Sequence, residues 1–177
     1  GGPRGVGGVC LRWGAESGVL AGGAQEGGLR AGTENVAGLA GAVEALARAQ
    51  AALPQESPRL RGLACRLADA VRRLEPPVRI NGDPAKGLPG LVSMAFAGLD
   101  GHALAADLDL QGFAVGTGSA CSESRPEPSR ALRAMGLSAA EALGALRVSM
   151  GRLTRDADVE ALAGALEATV RRCRRGA

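Results

Sequence analysis

The sequence predicts an α/β fold from two kinds of pattern. Short apolar runs bounded by glycine and proline, at residues 90–96, 112–115 and 146–150, read as strands; leucines and alanines spaced three and four apart over residues 57–74 and 101–110 read as helices with one buried face. A chain of 177 residues is long enough for one domain with a real core, or for one domain and part of another.

Composition then narrows the function classes. One Trp, two Phe and no Tyr leave a core of Ala, Val and Leu and little to stack on bases, so no nucleic-acid partner is expected. The 21 basic and 18 acidic residues give a net charge of +3 and are mostly interspersed; only Arg171, Arg172, Arg174 and Arg175 cluster, where positive charge suits a helix C-terminus. Cys10, Cys65, Cys121 and Cys173 form no C-x-x-C pair and have no His beside them, so no zinc or other metal site is expected. No leader-like segment and no apolar run near the ~20 residues needed to cross a bilayer stands out, so the expectation is a cytoplasmic protein with reduced thiols and no membrane partner. The sequence opens on Gly in mid-pattern, which reads either as removal of an initiator Met or as a fragment of a longer chain.

In chain order, residues 1–13 form a glycine-rich turn running into a strand in which Cys10 packs; the glycine order matches neither phosphate-binding fingerprint. Residues 22–35 form a second glycine-rich segment, read either as a surface loop with Glu26 and Arg30 paired in solvent or as a functional one. Thr33 in it precedes a helical pattern of Val36, Leu39, Ala40, Val43, Leu46 and Ala47, where unpaired N–H groups favour an anion. Pro54 and Pro58 break the chain and mark a domain junction. The next helix buries Leu60, Leu63, Ala64, Leu67, Ala70, Val71 and Leu74, with Cys65 structural. Pro76 and Pro77 end it, residues 78–80 are a strand, and Asn81-Gly82-Asp83-Pro84 is a turn. The helix at 101–110 turns Leu104, Leu108 and Leu110 inward and leaves His102 in solvent. Residues 129–135 are a short helix stopped by Gly136, Ser138 to Glu141 is a capping box opening another, and the terminal helix starts at Thr154.

Two positions invite chemistry. Cys121 lies between the 112–115 run and the helix announced by Pro126 and Pro128, in Gly116-Thr117-Gly118-Ser119-Ala120-Cys121-Ser122, a run of the smallest side chains. It reads either as a small buried hydrophobe or as a thiol free to reach a ligand. Arg147 in a strand reads either as an edge residue in solvent or as a planar fork for a carboxylate.

The segments Gln25 to Asn35, Gly118-Ser119-Ala120-Cys121, Glu127-Pro128-Ser129 with Leu132-Arg133-Ala134-Met135-Gly136, and Arg147-Val148-Ser149-Met150-Gly151-Arg152 together resemble the cysteine desulfurases of nitrogen fixation and iron–sulfur assembly. The resemblance covers essentially the whole chain and about the C-terminal half of such an enzyme. It implies the C-terminal part of a fold-type I pyridoxal-phosphate enzyme: residues 1–55 end the large, cofactor-binding domain, and residues 56–177 form the small α/β domain carrying the Cys121 loop. It assigns Cys121 as the nucleophile that takes sulfur from L-cysteine as a persulfide and leaves L-alanine. Arg147 is assigned to the substrate carboxylate, and Thr33 to the phosphate of pyridoxal 5'-phosphate across a homodimer interface. A sulfur-acceptor or iron–sulfur scaffold protein is the implied partner.

The chain also departs from that family. In the family the pyridoxal-binding lysine lies just ahead of a G-P-x-G-x-G turn, here Gly2-Pro3-Arg4-Gly5-Val6-Gly7, so the resemblance implies that it would fall just before residue 1; the only lysine, Lys86, stands where the family has no such link. Gly90 and Ser93 replace asparagines common in the family after the Leu-Pro pair. A non-catalytic fragment, or a sulfur-acceptor or protein-binding module without the lysine, is the alternative reading.

Overall fold

The computed structural model describes residues 2–10, 20–75, 77–117 and 127–175. The chain divides into two compact units, Gly1–Pro54 and Gln55–Ala177. One helix, α1 (Val36–Arg72), runs through both.

That continuity corrects the chain break expected at Pro54 and Pro58. Both prolines are exposed, so the carbonyls left without an N–H partner one turn earlier face water, and a proline φ is itself compatible with helix. By length and composition alone the helix could cross a bilayer. Its apolar first half contains the Glu44–Arg48 ion pair, however, and its second half is built into a protein core.

In the first unit, residues 2–10 have no regular structure, and Pro3 and Val6 pack on α1 over Gly41 and Gly38. Cys10 is exposed, which corrects its expected packing in a strand: no strand forms among the described residues of this segment to bury it. A loop closed by a parallel bridge between Leu20 and Arg30 contains a 3-10 turn at Gln25–Gly28. Arg30 donates to the Gly32 carbonyl, and no Glu26–Arg30 ion pair forms among the described residues. Asn35 opens α1, its Oδ1 accepting from the Gly38 N–H at 3.0 Å.

The second unit is a four-stranded antiparallel sheet with helices on both faces. Its strands are β1 (Arg79–Asn81), β2 (Leu91–Ala95), β3 (Gly116–Thr117) and β4 (Ala145–Ser149), in spatial order β1-β2-β4-β3. The alternation of β2 and β4 explains the layering. Val92 and Met94 on β2 and Leu146 and Val148 on β4 share one face, and pack with Leu63, Leu67 and Val71 of α1. Leu104 and Leu108 of α2 (Gly101–Leu110) and Val159, Leu162, Leu166 and Val170 of α5 (Asp156–Arg175) complete that core. On the other face Ala95 and Ala145 meet α3 (Arg130–Ala134) and α4 (Ala139–Leu143) through Leu132, Leu137 and Ala142. The predicted capping box is complete: Ser138 Oγ accepts from the Glu141 N–H at 3.2 Å, and Glu141 accepts from the Ser138 N–H at 2.7 Å.

Three expectations shift. The strand read at 112–115 does not form there; β3 follows directly after it at Gly116–Thr117, while Phe113 and Val115 still pack against the core. Leu110 is 88% exposed, because it lies about 200° around α2 from Leu108. The terminal helix begins at Asp156; Thr154 instead closes a turn by accepting from the Gly151 N–H.

Candidate functional site

The second face of the sheet carries a row of residues directly opposite one another across all four strands. Asn81 pairs with Ser93, Ser93 with Arg147, and Arg147 with Gly116. Opposed residues of antiparallel strands project to the same side, so this register places the three polar side chains on one surface. Each follows from local alternation: Ser93 lies between buried Val92 and Met94, and Arg147 between buried Leu146 and Val148.

Arg147 is therefore on an inner strand, which corrects its reading as an edge residue. Its guanidinium lies across β3. A Cβ at Gly116 would stand 2.9 Å from Nη2 and 3.4 Å from Cζ, so the missing side chain at Gly116 makes room for the fork. Arg147 is exposed and has no ion pair or hydrogen bond among the described residues. Beside it is a cavity of about 170 Å³ lined by Ser93, Ser129, Ala131, Leu132, Ala145, Leu146 and Arg147. Asn81 Nδ2 donates to Ser93 Oγ at 3.0 Å, while Asn81 Oδ1 is buried without a partner.

The other expected site residues are placed as follows. Cys121 lies outside the described residues. The last described residue before it is Thr117, the partner of Leu146, and the described residues resume at Glu127, two residues before Ser129. Thr33 belongs to the first unit, exposed, two residues before Asn35. Asn35 already occupies the Gly38 N–H, so fewer free donors remain at the start of α1 than expected. His102 is exposed, as expected; Cys65 and Cys173 are half-buried. Ser93 and Ser129 escaped notice as site residues, because a polar residue in a strand joins a site only once the strand pairing is known.

Residues 2–162 match the family described as aminotransferase class-V. The chain belongs to the class-V aminotransferase family. Among curated relatives of this class-V chain, an IscS-like cysteine desulfurase of Mycobacterium tuberculosis is 41% identical over 180 residues, covering 100% of this chain and 46% of that protein. Cysteine desulfurase IscS 1 of Archaeoglobus fulgidus is 38% identical over 174 residues, covering 98% and 45%. Among solved structures, a NifS-like protein superposes with a TM-score of 0.75 at 27% identity, over 88% of this chain and 39% of that one. The class-V chain thus spans about half the length of the curated relatives it matches.

Class-V membership implies dependence on pyridoxal phosphate. The chain's residues fit that group in part. The exposed Thr33 hydroxyl beside a helix start suits a phosphate, and the Arg147 fork, without a partner among the described residues, suits a substrate carboxylate. Lys86 does not suit the covalent link: its side chain is 87% exposed on a loop of the second unit, 3.9 Å from Asp83. The departure at Gly90 has a backbone cause. Its φ is +79°, a left-handed conformation that Gly and Asn tolerate best, and a Cβ there would approach the Met150 carbonyl oxygen to 2.9 Å.

Proposed function

We propose that this chain is the C-terminal portion of a cysteine desulfurase, working in the cytoplasm as part of a homodimer. Arg147 holds the carboxylate of L-cysteine through two parallel N–H···O bonds. Thr33 contributes its hydroxyl to the phosphate of pyridoxal 5'-phosphate from the partner's side of the dimer. When bound, pyridoxal phosphate withdraws electrons from the substrate carbons and leaves the substrate sulfur open to attack.

Cys121 then acts as nucleophile. Its thiolate forms an S–S bond to the substrate sulfur as the substrate Cβ–S bond breaks; the electron pair of that bond stays with the carbon side, which takes up a proton and leaves as L-alanine. The Cys121 persulfide passes its sulfur to an acceptor or iron–sulfur scaffold protein. What most supports the reading is the Arg147 fork, which has no partner among the described residues, lining a small cavity on the strand next to β3, after which the Cys121 segment follows in sequence. Connectivity keeps Cys121 within four residues of Thr117.

The test is to join this chain to the N-terminal part of the Mycobacterium tuberculosis relative and supply L-cysteine, pyridoxal phosphate and a thiol reductant, which reduces the Cys121 persulfide and frees its outer sulfur as sulfide. The fusion is expected to release L-alanine and sulfide. Cys121→Ala is expected to abolish sulfur transfer while L-cysteine still binds, because the thiol acts after binding. Arg147→Ala is expected to weaken L-cysteine by about 1.5–3 kcal/mol, the worth of a charge-assisted contact. If Cys121→Ala makes sulfide as fast as the parent fusion, the sulfur-transfer assignment fails and a non-catalytic binding module becomes the better reading.

A further inference from the structure

Among the described residues, the hydrogen-bond donors that line the cavity beside Arg147 outnumber the acceptors that face them. Ser93 Oγ already accepts from Asn81 Nδ2 at 3.0 Å, so its single hydrogen is available to donate elsewhere. The next residue along the row is Arg147, which has five N–H donors and no acceptor. Ser129, 7% exposed, accepts from the Leu132 N–H at 3.5 Å and also lines the cavity. Among the described residues neither serine hydroxyl has an acceptor for its hydrogen, and the Arg147 fork has none.

The remaining walls, Ala131, Leu132, Ala145 and Leu146, offer methyl groups. A volume of about 170 Å³ admits a group of only a few heavy atoms. An acceptor-only group of that size, carrying negative charge, completes the set.

We propose that Ser93, held in place by Asn81, is a second positioning residue for the substrate carboxylate, donating its hydroxyl to one carboxylate oxygen while Arg147 grips both. This rests on the reading of Arg147 as the carboxylate anchor and adds to it. A carboxylate held by a bidentate arginine keeps a spare lone pair on each oxygen, so the serine contact adds to the fork without competing with it. Asn81 acts through Ser93: its amide fixes the hydroxyl oxygen and thereby directs the hydrogen away from β1. Ser93 stands where the resemblance calls for asparagine, so this two-residue relay is a feature of this chain's own sequence.

The experiment titrates the full chain with L-alanine, the carboxylate-bearing product, and follows the Arg147 side-chain N–H resonance by NMR. Saturable shifts are expected, with none for L-alaninamide, which lacks the carboxylate. Ser93→Ala is expected to weaken L-alanine roughly tenfold, as loss of one hydrogen bond to a charged group does. Ser93→Thr, which keeps the hydroxyl, is expected to bind as the parent does, and thermal unfolding of each variant separates loss of binding from loss of fold.

Arg147→Ala distinguishes the two ideas. If it abolishes binding while Ser93→Ala binds like the parent, Arg147 keeps its role and the Ser93 inference is overturned. If Arg147→Ala leaves L-alanine binding intact, the carboxylate-anchor reading fails and the inference fails with it. Absence of any saturable shift in the parent overturns the inference, as does inorganic phosphate binding at the same site with the same dependence on Ser93.

Discussion

Asp107 shows how a single carboxylate ties two helices together. It accepts from the Thr169 hydroxyl, from Arg172 and from Gln111, joining α2 to α5 at a threonine that is fully buried. The Thr169 hydrogen bond, then that of Arg172, holds its pKa below the ordinary aspartate range against the opposing effect of burial. Because the folded pKa is depressed, the stability it contributes is present above the unfolded aspartate value of ~3.9 and is lost as pH falls through the lower folded value. Asp107→Asn is expected to cost roughly 1 kcal/mol at neutral pH, a modest figure because Arg172 is more than half exposed. Urea unfolding of parent and variant as a function of pH checks this: the difference should close only in acid, and a gap that persists below the folded value would mean that charge is not the cause. At this scale the sequence was legible where a residue's neighbours decide its role, as in the Ser138–Glu141 capping box. It was silent on Asp107, whose partners Thr169 and Arg172 lie 62 and 65 residues further along the chain.

Elements followed their periodicity more faithfully than their punctuation. The repeat Leu60, Leu63, Leu67, Val71 marked the buried face of α1, whereas Pro54 and Pro58 marked an end that does not exist. The cost of a proline inside a helix is paid where it removes a hydrogen bond, and at an exposed position water takes the freed carbonyl. Water solvates that carbonyl but neither restores the helical bond nor relieves the ring's clash with the preceding turn, so Pro58→Ala is expected to stabilise the second unit. Relief of a helix-interior proline contributes ~3 kcal/mol, and loss of the proline's restraint on the unfolded chain offsets ~0.4–1 kcal/mol, leaving about 2 kcal/mol. A thermal melt of the variant checks it, and an unchanged or lower midpoint would show that the native backbone at residue 58 is one that only proline favours.

At the scale of the whole molecule, what bears on the proposed function is where the chain's lysine stands. Lys86, the only lysine, is on an exposed loop beside Asp83 in the second unit, whereas Thr33 belongs to the first. The chain mixed with pyridoxal phosphate and dialysed is accordingly expected to be colourless; a persistent visible absorption band that disappears in Lys86→Ala would contradict this. The sequence by itself determined the α/β class, the order of helices and strands in the second unit, and the class-V motifs, because alternation, capping and glycine placement are properties of neighbouring residues. Only the tertiary structure decided that Asn81, Ser93, Arg147 and Gly116 form one row and that Ser129 closes a cavity over it. Strand register is set by packing two faces against different helices, and a shift of one residue would turn the arginine into the core, so the site exists only after residues 81, 93, 116 and 147 have paired.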